Sequence, residues 1–358
     1  MPISVMIKPS SSACNLRCDY CFYNSISESR NEAFKGMMSL KTAKNIIEKA
    51  FEFTKGTDVS FAFQGGEPSL RGIDFFEEFV KLTKKLNKYN SNVSICFQTN
   101  GTLIDDKWCE FFKKNNILVG VSLDGDEELN SYRKYPDGKN SYQDIMRGIE
   151  CLKKYDIEFN VLSVLTKRLA NNIRQSYRFF KQNKLHYLQY IPCLKPFDSE
   201  DNEFSMSNDD YAYYLNHCFK IYYNDIMRGN LISIRQFDNY VVLAKGNNAE
   251  QCGMNGPCST QFVVEGDGSV YPCDFFCIDK WYLGNINDVD FYTMYHSEKC
   301  VNFVKESFKT YSSCKDCNYF TICRGGGCKR TRTSYNYCEA YKTFFDNSLG
   351  MIMNLRRF

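Results

Sequence analysis

Cys14-Asn15-Leu16-Arg17-Cys18-Asp19-Tyr20-Cys21 decides how the rest of the chain is read. Its three thiols form the pattern C-x3-C-x2-C, directly after the apolar run Ile3-Ser4-Val5-Met6-Ile7 and just before Phe22 and Tyr23. Thiolate is the usual ligand of iron–sulfur clusters, which normally take four. Three local cysteines leave one iron open, and an open iron can bind and reduce a small molecule. Zinc knuckles pair C-x2-C with a second Cys or His pair nearby, and none follows here.

The 358 residues suffice for one large or two ordinary domains, and 43% hydrophobic with 24% charged residues is a soluble globular composition. A net charge of +3 gives no case for nucleic acid, and lysines such as Lys81, Lys84, Lys85 and Lys88 read as a solvated helix face. The 18 cysteines are too dilute for a disulfide-stapled scaffold. Met1-Pro2-Ile3-Ser4 opens no signal peptide, and no apolar run reaches the ~18 residues of a membrane span. A cytoplasmic protein with reduced thiols and bound metal is expected.

Outward from the cysteine loop, strands and helices alternate. Strands are expected over 3–8, 58–63, 93–97, 117–123, 158–165 and 186–191. Helices are expected from Ser39, which caps a stripe of Leu40, Ala43, Ile46, Ile47, Ala50 and Phe51, and near 74–87, 106–115, 141–154 and 171–183. Alternation of this kind predicts parallel strands with right-handed crossovers, in a doubly wound sheet or an incomplete (β/α) barrel. Both put ligand sites at the carboxyl ends of strands. The cysteine loop, Gln64-Gly65-Gly66-Glu67-Pro68, Gln98-Thr99-Asn100-Gly101 and Ser122-Leu123-Asp124-Gly125 all sit there. After a polar spacer over 198–208, Ser207 opens a long aromatic-rich helix over 208–228.

A second cysteine-rich region follows: Cys252, Cys258, Cys273, then Cys314, Cys317, Cys323, Cys328 and Cys338. QFVVEGDGSVYPC reads as a hairpin turning on Gly266-Asp267-Gly268. Eight thiols suit two fully ligated four-iron clusters or two zinc sites, and spacing does not partition them. The remaining cysteines, 96, 109, 151, 193, 218, 277 and 300, read as buried small hydrophobes, with Cys277 and Cys300 open as substitutes for a ligand. The three histidines do not cluster.

Taken together, CNLRCDYCFY, FQGGEP, QTNG, SLDG, CGMNGPC, GDGSVYPCDF and CKDCNYFTICRGGGC resemble radical S-adenosylmethionine (SAM) enzymes with a SPASM domain, and among them the anaerobic sulfatase-maturating enzymes. The resemblance runs from Ile3 to about Phe345. It departs in one place: four residues separate Cys323 from Cys328 where the family usually has three.

The resemblance implies an α/β fold, a partial (β/α)6 TIM-like barrel over 1–232, followed over 233–358 by a SPASM domain binding two auxiliary clusters. Cys14, Cys18 and Cys21 would hold the SAM-reducing cluster; Tyr20, Gly66, Ser122, Arg133 and Leu194 would contact SAM, with Glu67 at its ammonium group. Read alone, Arg133 is a solvated arginine in a charged loop. Cys252, Cys258, Cys273 and Cys328 would hold one auxiliary [4Fe–4S] cluster, and Cys314, Cys317, Cys323 and Cys338 the other. Asp274 matches the catalytic base, a role that burial favours by raising a carboxyl pKa; read alone, an aspartate in a turn is a cap or solvated. The implied reaction oxidises a Cys or Ser in a sulfatase C/S-x-P/A-x-R segment to Cα-formylglycine, with SAM cleaved to methionine and 5′-deoxyadenosine.

Implied partners are an unfolded sulfatase or other peptide and a flavodoxin- or ferredoxin-type reductant, with no nucleic acid, no membrane and a monomeric chain. The alternative is a SPASM maturase crosslinking a ribosomal peptide through a thioether or C–C bond. Such enzymes often carry an N-terminal peptide-binding domain, for which a cluster beginning at residue 14 leaves no room. An electron-transfer protein without SAM cleavage is the rival outside enzymes.

Overall fold

The structure, a computed structural model, describes residues 1–197 and 199–355. In chain order its elements are β1 (Ile3–Ile7), α1 (Phe22–Glu28), α2 (Leu40–Thr54), β2 (Val59–Phe63), α3 (Ile73–Leu86), β3 (Val93–Thr99), α4 (Asp106–Asn115), β4 (Leu118–Ser122), α5 (Tyr142–Lys154) and β5 (Phe159–Leu165). Then come α6 (Lys167–Asn171), α7 (Ile173–Gln182), β6 (Tyr187–Pro192), α8 (Asn208–Met227), β7 (Ser233–Ile234), α9 (Arg235–Ala244), and the strands β8 (Phe262–Val264), β9 (Ser269–Tyr271) and β10 (Gly284–Asn285). The chain closes with α10 (Phe291–Tyr295), α11 (Glu298–Glu306), α12 (Phe320–Cys323), α13 (Lys329–Ser334) and α14 (Cys338–Asn354). All six strands expected from alternation are present, each end within two residues of its expected place. Two compact units result.

The first unit joins Met1–Ser122, Arg133–Phe159 and Thr260–Phe303. Its strands run β10-β9-β8-β1-β2-β3-β4, with β1 to β4 parallel and in register from Ile3 opposite Val59 and Val59 opposite Val93. The hairpin of β8 and β9 turns where the glycines predict, and β8 then lies parallel to β1, with Val5 opposite Phe262. Helix α2 begins at Ser39, whose side chain accepts from Thr42 N; Ala43, Ile46, Ile47, Ala50 and Phe51 form its buried stripe. Phe63, Phe76, Phe79, Phe97 and Trp108 make edge-on ring contacts 4.9–5.5 Å apart between the β2–β3 face and α3–α4, each adding about 1 kcal/mol beyond area burial. This apolar floor fixes the strand ends that carry the site loops.

The second unit joins Leu123–Tyr132, Asn160–Ser259 and Val304–Phe358. Here β5, β6 and β7 run parallel. Helix α8 starts at Ser207 with a full capping box to Asp210, and α9 and α14 pack on it through Phe219, Phe237 and Phe344. Helices α1, α6 and α9 to α14 were not foreseen. The polar spacer is not wholly superficial: Ser205 and Met206 are buried, while Asp198, where it begins, lies outside the described residues.

Candidate active site

The first unit builds its site where β1, β2 and β3 end. The chain leaving β1 forms the cysteine loop, and two main-chain bonds tie this loop to the glycine loop after β2: Gly66 N donates to Ser11 O (2.8 Å) and Glu67 N to Ala13 O (2.8 Å). Gly66 permits this approach, since a Cβ there would stand 2.1 Å from Ala13 O. Farther along, Arg17 N donates to Lys134 O (2.7 Å), and Lys134 pairs with Asp19 (2.7 Å).

Glu67 fastens a third loop. Its fully buried carboxylate accepts from Ser69 N and Oγ, from Thr99 Oγ1 (2.8 Å) and from Asn100 N (2.7 Å). Burial is the largest influence on its pKa and holds it above the usual range despite these bonds. Asn100 in turn donates to Asn15 Oδ1 (2.8 Å) and reaches Cys14 Sγ (3.8 Å). The cysteine, glycine and QTNG loops are therefore one hydrogen-bonded body.

Of the SAM-contact residues expected in this unit, Tyr20 and Arg133 meet directly, with the guanidinium 5.4 Å from the ring centre. Arg133 is buried, 6% exposed, correcting the solvated surface reading of its loop; Ser141 N and Oγ fix its carbonyl. Ser122 Oγ accepts from Gln98 Nε2 (3.2 Å). Leu194 is buried in the second unit, just after β6.

Asp274 is neither a cap nor solvated. It opens a 3-10 turn after Cys273, is 5% exposed, and lies 2.6 Å from Lys8 Nζ, while Gln64 Nε2 donates to its other oxygen (3.1 Å). Lys8 is fully buried at the end of β1, its ammonium 3.4 Å from the centre of the Tyr23 ring. Burial alone would depress the Lys8 pKa, but Asp274 above all, then Cys277 and Glu265, hold it above its ordinary value. Beneath, Glu265 accepts from Tyr23 (2.5 Å), Arg30 (2.8 Å) and Ser11 (3.0 Å). Lys8 was missed by sequence reasoning. Its signal was a lysine ending an apolar strand directly before the cysteine loop.

The thiols fit iron–sulfur ligation. Cys14 and Cys21 are exposed and Cys18 is half-buried, and Leu16 N donates to the Cys14 sulfur (3.4 Å). In the second unit Cys252 is exposed, and the residue after it packs on Cys328: a Cβ at Gly253 would stand 2.7 Å from Cys328 Cα. Burial lifts Cys323 to about 12, beside Cys338 and Cys314, with main-chain N–H groups of Gly326 and Gly325 on its sulfur. Cys314, Cys317, Cys323 and Cys338 line one open pocket together with Tyr311, Tyr337 and Tyr341. Cys273 belongs to the first unit. Among the described residues no three Cys, His, Asp or Glu side chains close on a single ion; a four-iron cluster gives each thiolate its own iron and tolerates wider spacing. Cys277 is buried and donates to Cys273 O, and Cys300 is buried against Thr260. Cys109, Cys193 and Cys218 are buried as expected, whereas Cys96 and Cys151 are half-buried.

Comparison with known proteins agrees with this geometry. Residues 9–180 match the Radical SAM superfamily and residues 257–318 the SPASM iron-sulfur cluster-binding domain. The class is thus a radical SAM enzyme with a SPASM domain: a TIM-like partial barrel followed by a cluster-binding module, with SAM and [4Fe–4S] clusters as cofactors. The cysteine-type anaerobic sulfatase-maturating enzyme of Clostridium perfringens (strain 13 / Type A) is 41% identical over 99% of this chain and 98% of its own. That of Clostridium novyi (strain NT) is 42% identical over 98% and 96%, and a serine-type enzyme of Bacteroides thetaiotaomicron is 32% identical over 97% and 89%. The solved structure of native anSMEcpe with bound AdoMet superposes with a TM-score of 0.94, at 41% identity over 99% of both chains. The chain belongs to the anaerobic sulfatase-maturating enzymes, which oxidise an active-site Cys or Ser of a sulfatase to Cα-formylglycine. No helix of the described residues is long and apolar enough to cross a membrane.

Proposed function

We propose that the chain is of the cysteine type and oxidises a peptide cysteine to formylglycine. The observation carrying this reading is its 41–42% identity to cysteine-type enzymes against 32% to a serine-type one. Cys14, Cys18 and Cys21 hold the SAM-reducing cluster; Cys252, Cys258, Cys273 and Cys328 hold one auxiliary cluster; Cys314, Cys317, Cys323 and Cys338 hold the other. When bound, these clusters and SAM supply the one-electron reduction, the hydrogen-atom acceptor and the electron sink of the reaction. The division falls at 232/233, barrel before and SPASM after.

The chain's own residues do the rest. Tyr20, Gly66, Glu67, Ser122, Arg133 and Leu194 orient SAM, with the Glu67 carboxylate toward its ammonium group and the tied loops excluding water around it. Asp274 takes the substrate thiol proton on a carboxylate oxygen while Gln64 and Lys8 hold that carboxylate in place. In balance, the cysteine loses two electrons and two hydrogens as a thioaldehyde, and water then displaces sulfur as hydrogen sulfide. The substrate is an unfolded sulfatase segment, the electron donor a flavodoxin- or ferredoxin-type protein, and the chain works as a monomer in the cytoplasm.

Anaerobically reconstituted protein, SAM, dithionite and a sulfatase peptide carrying Cys or Ser test this. Formylglycine from cysteine lowers the peptide mass by about 18 units, and from serine by about 2. The Cys peptide is expected to turn over faster. A crosslinked product, a faster Ser peptide, or no 5′-deoxyadenosine would each overturn the reading.

A further inference from the structure

The segment Cys323–Cys328 contains the family departure, and its backbone is unusual. Arg324, Gly325, Gly326 and Gly327 all have positive φ, at 48°, 93°, 91° and 86°. Glycine is needed here for space as well as conformation: a Cβ at Gly325 would meet Thr310 Cγ2 at 2.9 Å and Arg332 Nη1 at 3.2 Å. The room left is filled by the Arg332 guanidinium.

Arg332 spans two thiol groups. Its Nη2 donates to Ser307 O (2.9 Å) and Gly256 O (3.5 Å), and Ser307 Oγ accepts from Cys258 N (2.8 Å), so one end grips the Cys252–Cys258 loop. Its other end faces the glycine loop, and its main-chain N donates to Cys328 O (2.9 Å). Tyr311, which donates to Arg332 O (3.0 Å), lines the pocket of Cys314 and Cys338. Nε and Nη1 are buried without a hydrogen-bond partner, and no carboxylate among the described residues pairs with the guanidinium. A half-buried cation whose Nε and Nη1 are enclosed and idle, between the Cys258 and Cys323–Cys328 segments, is suited to an anionic sulfur acceptor. Iron–sulfur sites are of that kind: they gain negative charge on reduction, and hydrogen bonds to their sulfurs tune the potential.

We propose that Arg332 is a positioning residue for the auxiliary site held by Cys328: its guanidinium donates N–H bonds to the sulfurs there and, by its charge, makes that site easier to reduce. The extra glycine of the Cys323–Cys328 loop makes room for it. This rests on the cluster assignment of Cys252, Cys258, Cys273 and Cys328, and the test separates the two.

The full chain is prepared with Cys14→Ala, Cys18→Ala and Cys21→Ala, leaving only auxiliary clusters, and iron is counted. About eight irons per chain are expected; far fewer would refute the cluster assignment whatever Arg332 does. EPR-monitored redox titration then compares Arg332, Arg332→Gln and Arg332→Lys in that background. At the midpoint of the parent, Arg332→Gln is expected to lower the reduced-to-oxidised ratio of one cluster about tenfold, equivalent to about 59 mV for one electron. Arg332→Lys, which keeps the charge, stays within about threefold. Full iron with an unmoved midpoint in Arg332→Gln overturns the proposal. Should Arg332→Gln lose iron, Arg332→Lys decides: full iron and a ratio within threefold support it, while loss of iron there too, or a tenfold displacement despite the retained charge, overturns it.

Discussion

Removing Lys8 isolates what the buried ion pair at Asp274 contributes. Lys8→Met keeps the length and apolar stem but deletes the ammonium 2.6 Å from the carboxylate and 3.4 Å from the centre of the Tyr23 ring. Both side chains are almost completely buried, 1% and 8% exposed, so water does not replace the lost partner. Breaking one half of such a pair costs about 3–5 kcal/mol, because a charge stays behind uncompensated. That is a large part of a stability on the order of 5–15 kcal/mol, so a folded but clearly less stable protein is expected. The lost transition-state positioning is worth about 10²-fold or more in formylglycine formation. SAM cleavage depends on the cysteine loop and the loops around Glu67, whose own hydrogen bonds do not pass through the Lys8 ammonium, and should fall much less. The assay measures 5′-deoxyadenosine and formylglycine in the same anaerobic reaction: the ratio of the first to the second rises in Lys8→Met. Asp274→Asn should behave alike, and the double variant should recover part of the stability lost by each single one. A Lys8→Met enzyme with an unchanged ratio, or stability losses that simply add, would refute the pairing argument.

Gly66→Ala drives a Cβ to within 2.1 Å of Ala13 O, so the cysteine loop must shift; iron analysis should show about four fewer irons per chain, and SAM cleavage should vanish. Cys317→Ala removes a thiol from the tyrosine-lined pocket and is expected to lower the iron content by up to about four per chain while leaving some SAM cleavage. Asp225 supplies a pH test: burial pushes its carboxyl up, yet hydrogen bonds from Lys181, Tyr177 and Asn230 outweigh this and hold it below its ordinary value. A carboxyl lowered in the folded state stabilises above its unfolded pKa, near 4, and loses that contribution as pH falls through the folded value. Acid unfolding of Asp225→Asn should therefore depend less steeply on pH than that of the parent; equal slopes would dismiss the network.

The strands were legible because each is a short apolar run closed by a glycine or polar loop, and Ser39 and Ser207 announced their helices by capping chemistry. The hairpin of β8 and β9 was legible locally through Gly266-Asp267-Gly268, but its parallel pairing with β1 was not. That contact joins Val5 to Phe262 across the sequence, and nothing in either segment specifies the other. In the site, the cysteine, QGGEP and QTNG loops announced themselves by composition. Arg133 and Asp274 did not: their burial depends on Tyr20 in one case and on Lys8 and Gln64 in the other, partners distant in the chain. Arg332 carried no signal at all, since one more cation in the run Lys329-Arg330-Thr331-Arg332 looks like solvent-facing charge.

The bonds from Gly66 N to Ser11 O and from Glu67 N to Ala13 O bear on how the protein matures. They join main chain to main chain, so part of what shapes the cysteine loop does not pass through its thiols. Metal-dependent modules that fold around their ion lose their structure to a chelator; these two main-chain bonds involve no thiol and hold the loop to its neighbour independently of one. Stripping and refilling the iron should then be reversible, with the emptied protein keeping its helix content and its resistance to proteolysis. Damage by oxygen would leave a vacant but correctly formed socket, open to repair rather than marked for degradation.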